Sequence, residues 1–157
     1  MRIMCIDLGT KTIGMAVSDS MGLTAQPVST IRRKAIEADI AELIGIARER
    51  EVERIVVGLP VNMDGTEGPA ALATRRFVER LKGHTELPIE FWDERMSTAA
   101  VTRVLIDADV SREKRKASVD KLAASYILQG YLDNRRRQKH NGSAQGADGS
   151  NNGHGCP

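Results

Sequence analysis

Hydrophobic and polar residues in the first thirty positions form short runs of the kind that β-strands show. Apolar runs at Ile3–Leu8 and Thr12–Ser18 are separated by a glycine turn, and a third run covers Met21–Thr30. Pro27 interrupts the third run, which favours an edge strand because proline has no backbone N–H to donate. The pattern predicts three antiparallel strands joined by short turns.

The period of the pattern then changes. Apolar residues between Ala35 and Arg50 fall on one face of a helix, with charged residues opposite. The branched apolar run Arg54–Leu59 predicts a buried strand, and Ala70–Lys82 and Pro88–Asp93 predict a second helix and a fifth strand. A short apolar strand between two helices is typical of a parallel sheet.

The last part of the folded region predicts two further helices. A third helix begins at Ser97 or Thr98, a charged loop follows at Ser111–Ser118, and the last helix covers Val119–Arg135. We therefore expect the α/β class, with a mixed five-stranded sheet (three antiparallel strands, then two parallel) and helices on both faces.

A length of 157 residues is sufficient for one compact domain, which we assign to residues 1–137. Residues 138–157 are low in complexity and are expected to form a disordered tail. Asp7 interrupts the first apolar run, which argues against a signal peptide, and no apolar stretch has the length that a bilayer requires.

The two cysteines are separated by almost the whole chain, because Cys5 lies in the first strand and Cys156 in the tail. A disulfide between them is not expected, so we expect a cytoplasmic protein without a membrane partner. The net charge of +2 means that binding to nucleic acid would depend on local basic patches. Aromatic residues make up only 3%, which leaves little surface for stacking on single-stranded bases.

Four acidic residues mark the candidate chemistry. Asp7 ends the first strand, Asp93 and Glu94 end the fifth, and Asp120 begins the last helix. Ligands of open α/β sheets gather beyond the carboxyl ends of the parallel strands, so these side chains are expected at one edge. Taken singly, each also has a structural explanation: Asp7 as a turn-capping residue, Asp120 as a first-turn acid favoured by the helix dipole, and Asp93 and Glu94 as members of a surface ion pair. Their joint placement favours a site.

Converging carboxylates repel one another and have raised pKa values unless a cation lies between them. Mg²⁺ or Mn²⁺ would relieve this repulsion, and a pair of such ions is the usual apparatus for in-line attack on a phosphodiester. Strand alternation directs Asp93 and Glu94 to opposite faces of the sheet. We favour Glu94 as the direct ligand, since its longer side chain can reach inward from a strand end.

Four sequence segments carry a resemblance to a known family. The segments IDLGTKTIGMAVSD, VVGLPVNMDGTEGP, DERMST and VDKLAASYIL closely resemble the motifs of the YqgF-like (RuvX) family of Holliday-junction resolvases and pre-16S rRNA nucleases. The match runs from about Met1 to Asp133 in the family's order and spacing. It implies an RNase H-like fold and a metal site. The resemblance implies that Asp7, the Asp93-Glu94 pair and Asp120 form the catalytic metal site. With Glu94 favoured over Asp93, the expected metal ligands are Asp7, Glu94 and Asp120.

One position departs from the related junction resolvases. Those enzymes carry a glutamate on the fourth strand, where this chain has Gly58. Within YqgF-like proteins, the acid on the fifth strand is held to replace it. Action on four-way DNA is therefore the less secure part of what the resemblance implies.

Basic and polar side chains near these motifs are candidates for substrate contact. They are Lys11, Asn62, Arg95, Lys114 and Lys116. Lys11 adjoins Asp7, and the loop that contains Lys114 leads into Asp120. The loop after the fourth strand also fits a plain connection in which Thr66 caps the next helix and Asp64 serves a turn.

The leading hypothesis is a metal-dependent endonuclease, a monomer or homodimer, that processes the 5′ end of pre-16S rRNA. A Holliday junction resolvase acting on branched DNA is one alternative. A non-catalytic RNA-binding or ribosome-assembly factor is another. The segment IDLGTKT also resembles the phosphate-binding hairpin of actin-like ATPases, but those proteins need two such domains around a cleft.

Overall fold

The computed structural model describes residues 1–94 and 122–141, and it confirms the expected α/β architecture. The strands are β1 (Ile3–Leu8), β2 (Thr12–Ser18), β3 (Ala25–Arg32), β4 (Arg54–Leu59) and β5 (Ile89–Asp93). The helices are α1 (Ile36–Glu49), α2 (Pro69–Lys82) and α3, which covers 122–141. The expected third helix and the charged loop lie outside the described residues. No helix in the described part is long and apolar enough to cross a membrane.

The five strands form one sheet in the order β3-β2-β1-β4-β5. The β1–β2 and β2–β3 pairs are antiparallel, whereas β1–β4 and β4–β5 are parallel. The first three strands are therefore the predicted meander. Since β1, β4 and β5 run in the same direction, their carboxyl ends meet at one edge of the sheet.

The start of β3 differs from the sequence prediction. β3 begins at Ala25 rather than at Met21, because Asp19 organises the preceding residues into a turn. A carboxylate oxygen of Asp19 accepts the backbone N–H of Leu23 at 2.7 Å, and Gly22 adopts a positive φ of 69°. The predicted edge position of Pro27 is confirmed, and the register with β2 shifts beside it.

Helices cover both faces of the sheet, as predicted. Buried residues of α1 and α2, including Leu43 and Phe77, pack with Ile6 and Val57 on one face. On the other face α3 packs against β1, β2 and β4. The buried members of this second cluster are Ile3, Cys5, Ala16, Val56, Ala124, Ile127, Leu128, Tyr131 and Leu132. The core is aliphatic apart from a few aromatic side chains.

Polar contacts hold α3 against the sheet. The Tyr131 hydroxyl donates to the Glu90 carboxylate, which also accepts from Arg54 at 2.6 Å. These hydrogen bonds, led by the one from Tyr131, lower the pKa of Glu90. The Trp92 and Tyr131 rings meet edge to face with centroids 5.7 Å apart. These contacts join Tyr131 of α3 to β5 and, through Glu90, to Arg54 at the start of β4.

The helix α3 also extends further than predicted. It continues to residue 141, six positions beyond the expected end at Arg135, so positions 138–141 of the proposed tail are helical. Glutamine, lysine and arginine are good helix formers, and no glycine or proline interrupts the segment before Gly142. Residues 142–157 lie outside the described part of the chain.

Candidate active site

Asp7 and Glu94 meet at the carboxyl edge of the sheet. Asp7 is the penultimate residue of β1, and Glu94 directly follows β5. Both residues are partly buried, and their side chains are joined by a hydrogen bond. This contact confirms the expectation that the parallel strands bring the two acids together, although β4 lies between β1 and β5.

The register of β4 and β5 separates Glu94 from Asp93. Asp93 pairs with Leu59, whereas Gly58 pairs with Trp92, which packs on the α3 side. Successive strand side chains alternate between faces, so Asp93 is directed to the face covered by α1 and α2. Glu94 lies over Gly58 on the α3 side. The structure therefore brings Glu94 into contact with Asp7. Asp93 lies on the other face and affects Glu94 through its negative charge, which raises the pKa of Glu94.

The electrostatics of the pair are strongly perturbed. Burial, the hydrogen bond with Asp7 and the charges of Asp7 and Asp93 raise the pKa of Glu94 from 4.5 to about 9. At neutral pH, Glu94 is therefore protonated and donates to Asp7. Burial, together with the charges of Asp7 and Glu94, raises the pKa of the Cys5 thiol well above its usual value. Cys5 is thus a neutral core residue.

A proton shared by two carboxyl groups indicates that, among the described residues, no positive side chain balances their charge. Carboxylate oxygens are the ligands that Mg²⁺ and Mn²⁺ favour, and a divalent cation would replace the shared proton. The donor set of Asp7 and Glu94 therefore fits such an ion. Within residues 1–94 and 122–141, no group of three or more acidic, histidine or cysteine side chains is placed to hold a metal. A third ligand would come from outside these ranges, where Asp120 lies.

The turn between β1 and β2 holds Lys11 at this edge. The Gly9 N–H donates to the Thr12 carbonyl at 2.8 Å, which closes the turn. Arg33 of the segment after β3 donates through Nη1 to the Gly9 carbonyl at 2.7 Å, and its backbone N–H donates to the Lys11 carbonyl at 2.9 Å. Lys11 itself is exposed, as substrate contact requires.

The loop between β4 and α2 has its own hydrogen bonds. The Asn62 side-chain amide donates to the Thr66 hydroxyl at 3.0 Å, and an Asp64 oxygen accepts from the Thr66 N–H at 3.0 Å. Asp64 therefore has the turn role that the sequence suggested. The alternative that Thr66 caps α2 is wrong, because Gly68 is the N-cap and Pro69 occupies the first turn.

Arg75 fixes this loop to the body of the protein. Its guanidinium donates from Nε and Nη2 to the two carboxylate oxygens of Glu67, the second at 3.0 Å, and lies 4.8 Å from the centre of the Phe91 ring. The sequence carries no signal for the contacts of Arg75 with Glu67 and Phe91, or for those of Arg33 with the first turn, because they depend on how the loops fold back on the sheet.

Replacing Arg75 with alanine is expected to loosen the loop without unfolding the protein. The bidentate ion pair with Glu67 and the contact with the Phe91 ring both restrain the loop, so loop amides such as those of Asn62 and Gly65 should exchange about 5- to 10-fold faster in the variant. Hydrogen exchange measures this directly. The neighbouring exposed Arg76, replaced with alanine, removes the same charge and is the matched control. Equal protection in both variants would contradict the anchoring role.

Four candidate residues are not placed by the structure. Arg95, Lys114, Lys116 and Asp120 lie outside the described residues. The catalytic and metal-binding roles of Asp7, Asp93 and Glu94 likewise stay predictions, although the contact of Asp7 with Glu94 is now established.

The strand order and the acidic pair at the carboxyl edge define the class of RNase H-like proteins. The family model for RuvX, described as Holliday junction resolvase, matches residues 1–134, and the chain belongs to this family. A relative from Myxococcus xanthus, named "Putative pre-16S rRNA nuclease", is 54% identical over 87% of this chain and 90% of its own length. A second relative of the same name, from Symbiobacterium thermophilum, is 58% identical over 86% of this chain and 94% of its own length.

Solved structures support the fold assignment. RuvC of T. thermophilus in complex with a Holliday junction substrate superposes with a TM-score of 0.55 at 14% identity, covering 87% of this chain and 96% of that one. The fowlpox virus Holliday junction resolvase superposes with a TM-score of 0.52 at 14% identity. That superposition covers 85% of this chain and 99% of the resolvase. At such identities the likeness establishes a common fold.

Proposed function

We propose that this chain is a metal-dependent endonuclease that hydrolyses phosphodiester bonds at the 5′ end of pre-16S rRNA. The observation that carries the proposal is the hydrogen-bonded pair of Asp7 and Glu94 at the carboxyl edge of the sheet. In the metal-free chain a proton holds this pair together, and a divalent cation bound by the two ionised carboxylates would replace that proton. Metal-assisted hydrolysis is the reaction class that uses this arrangement.

The choice of RNA rests on the relatives. Chains that are more than half identical over nearly their whole length carry the pre-16S rRNA name, whereas the superposed resolvases are only 14% identical. The description of the family nevertheless names Holliday junctions, so branched DNA is kept as the second substrate to be tested.

The residues that would hold Mg²⁺ or Mn²⁺ are Asp7 and Glu94, with Asp120 as a third ligand. When bound, such an ion supplies an activated water and neutralises charge on the scissile phosphate. The negative charge of Asp93 on the neighbouring face raises the pKa of Glu94 and would strengthen its attraction for a cation. Lys11, Asn62, Arg95, Lys114 and Lys116 are proposed to contact the phosphate backbone, which positions the substrate without reading its sequence.

A cleavage assay tests the proposal. The purified chain is incubated with a 5′-extended pre-16S rRNA fragment and with a four-way DNA junction, each in Mg²⁺, Mn²⁺ or EDTA. We expect metal-dependent cutting of the RNA, and no cutting of a control fragment that begins at the mature 5′ end. Cutting of the junction alone would assign a resolvase. Binding of the RNA without cutting under any condition would favour the non-catalytic assembly factor.

A further inference from the structure

The geometry points to Gly58 as the positioning residue for Glu94. Gly58 leaves the space on β4 into which the Glu94 carboxyl inserts to reach Asp7. We propose that a side chain of any size at this position displaces Glu94 from the acidic pair and weakens the binding of a divalent cation. The metal part of this inference rests on the proposed function, whereas the steric part does not.

The space above Gly58 is already filled. A Cβ atom built on Gly58 would lie 2.6 Å from Oε1 and 3.0 Å from Cγ of Glu94, and 3.0 Å from Cδ1 of Ile127. Non-bonded carbon atoms prefer separations of about 3.5–4.0 Å. A single methyl group would therefore overlap with side chains from two elements, the end of β5 and α3.

The backbone conformation does not explain this glycine. Among the described glycines, only Gly22 and Gly65 have positive φ angles, so the conformation of Gly58 is open to any residue. A glycine inside a strand weakens the strand, because it loses more conformational entropy and packs no side chain. Gly58 is buried in the middle of the sheet, where β4 pairs on both sides. The close approach of Glu94, with that of Ile127 beside it, is the feature that requires a glycine here.

Of the two neighbours, Glu94 is the one that would move. Ile127 is fully buried in the cluster between α3 and the sheet, where close packing leaves little room for displacement. Glu94 is only partly buried and lies beyond the last residue of β5. Moving it outward would relieve the closer of the two overlaps and leave the one with Ile127, but would break its hydrogen bond with Asp7.

A double-mutant cycle tests the steric part in EDTA. Gly58→Ala is measured alone and together with Glu94→Ala, with unfolding followed in urea. We expect Gly58→Ala to raise the unfolding constant at least tenfold in the wild-type background, and by a factor at least three times smaller when Glu94 is already truncated, where only the overlap with Ile127 remains. Gly45→Ala is the matched control, because its Cβ would meet no atom within 4 Å on the exposed side of α1. Equal effects of Gly58→Ala in both backgrounds would overturn the proposal.

A titration with Mn²⁺ tests the positioning part. We expect Gly58→Ala to weaken Mn²⁺ binding at least tenfold, and Gly45→Ala to bind as the wild type does. Circular dichroism under the same conditions establishes that each variant is folded. Wild-type affinity in folded Gly58→Ala would overturn the positioning role. If the wild type itself bound no Mn²⁺, the metal-dependent function would fail, and the EDTA cycle would still decide whether Gly58 makes room for Glu94.

Discussion

Cleavage of pre-16S rRNA is expected to fall by about 10³-fold or more when Asp7 is replaced with asparagine, in the range seen when a charge-stabilising group is removed from an active site. Asp7 accepts a hydrogen bond from the protonated Glu94 in the metal-free protein, and the same oxygens would ligate the cation. Asparagine keeps the size of the side chain but removes its charge. The variant should therefore fold and bind RNA while losing affinity for the metal.

The expected loss is measured under single-turnover conditions with RNA binding assayed in parallel. Glu42→Gln is the matched control, because Glu42 is an exposed acid on α1, and the change removes one negative charge without touching the site. We expect wild-type cleavage from this control. Cleavage by Asp7→Asn within tenfold of the wild type would remove the acidic pair from the mechanism.

Most of the fold was accessible from the sequence because its strands are short apolar runs with clear turn signals on each side. The bounds of β1, β2 and β4 agree with the sequence predictions residue for residue. The start of β3 was missed because Asp19 closes a turn with its side chain, and an apolar pattern does not register a side-chain hydrogen bond. The end of α3 was missed because a polar helix end carries no apolar period.

In the candidate site, too, the features that follow from strand direction and alternation were predictable, whereas contacts made by folding were not. The meeting of Asp7 with Glu94 follows from parallel strand direction, and the difference between Asp93 and Glu94 follows from alternation, so both were predictable. Contacts between distant segments were not. The anchoring of the first turn by Arg33 and the filling of the space over Gly58 depend on distances that only the folded chain defines.

Replacing Glu94 with glutamine is expected to stabilise the metal-free protein, and increasingly so as the pH rises. The pKa of Glu94 is about 9 in the folded protein, against an ordinary value of 4.5. Between these values the folded state binds more protons than the unfolded state, so the stability of the wild type falls as the pH rises through this window. Glutamine does not titrate, and its amide can still donate to Asp7.

At pH 8 the difference should reach about 2 kcal/mol, after allowance for the partial solvent access of Glu94, or roughly 4–8 °C in Tm. Urea unfolding in EDTA at a series of pH values between 5 and 9 measures it, with Glu42→Gln as the control that should show no such trend. Excess Mg²⁺ should reverse the order, since the cation stabilises the ionised carboxylates of the wild type and not the amide. A difference that is constant with pH would show that Glu94 ionises normally in the folded chain. In that case the pair would carry no stored repulsion for a cation to relieve.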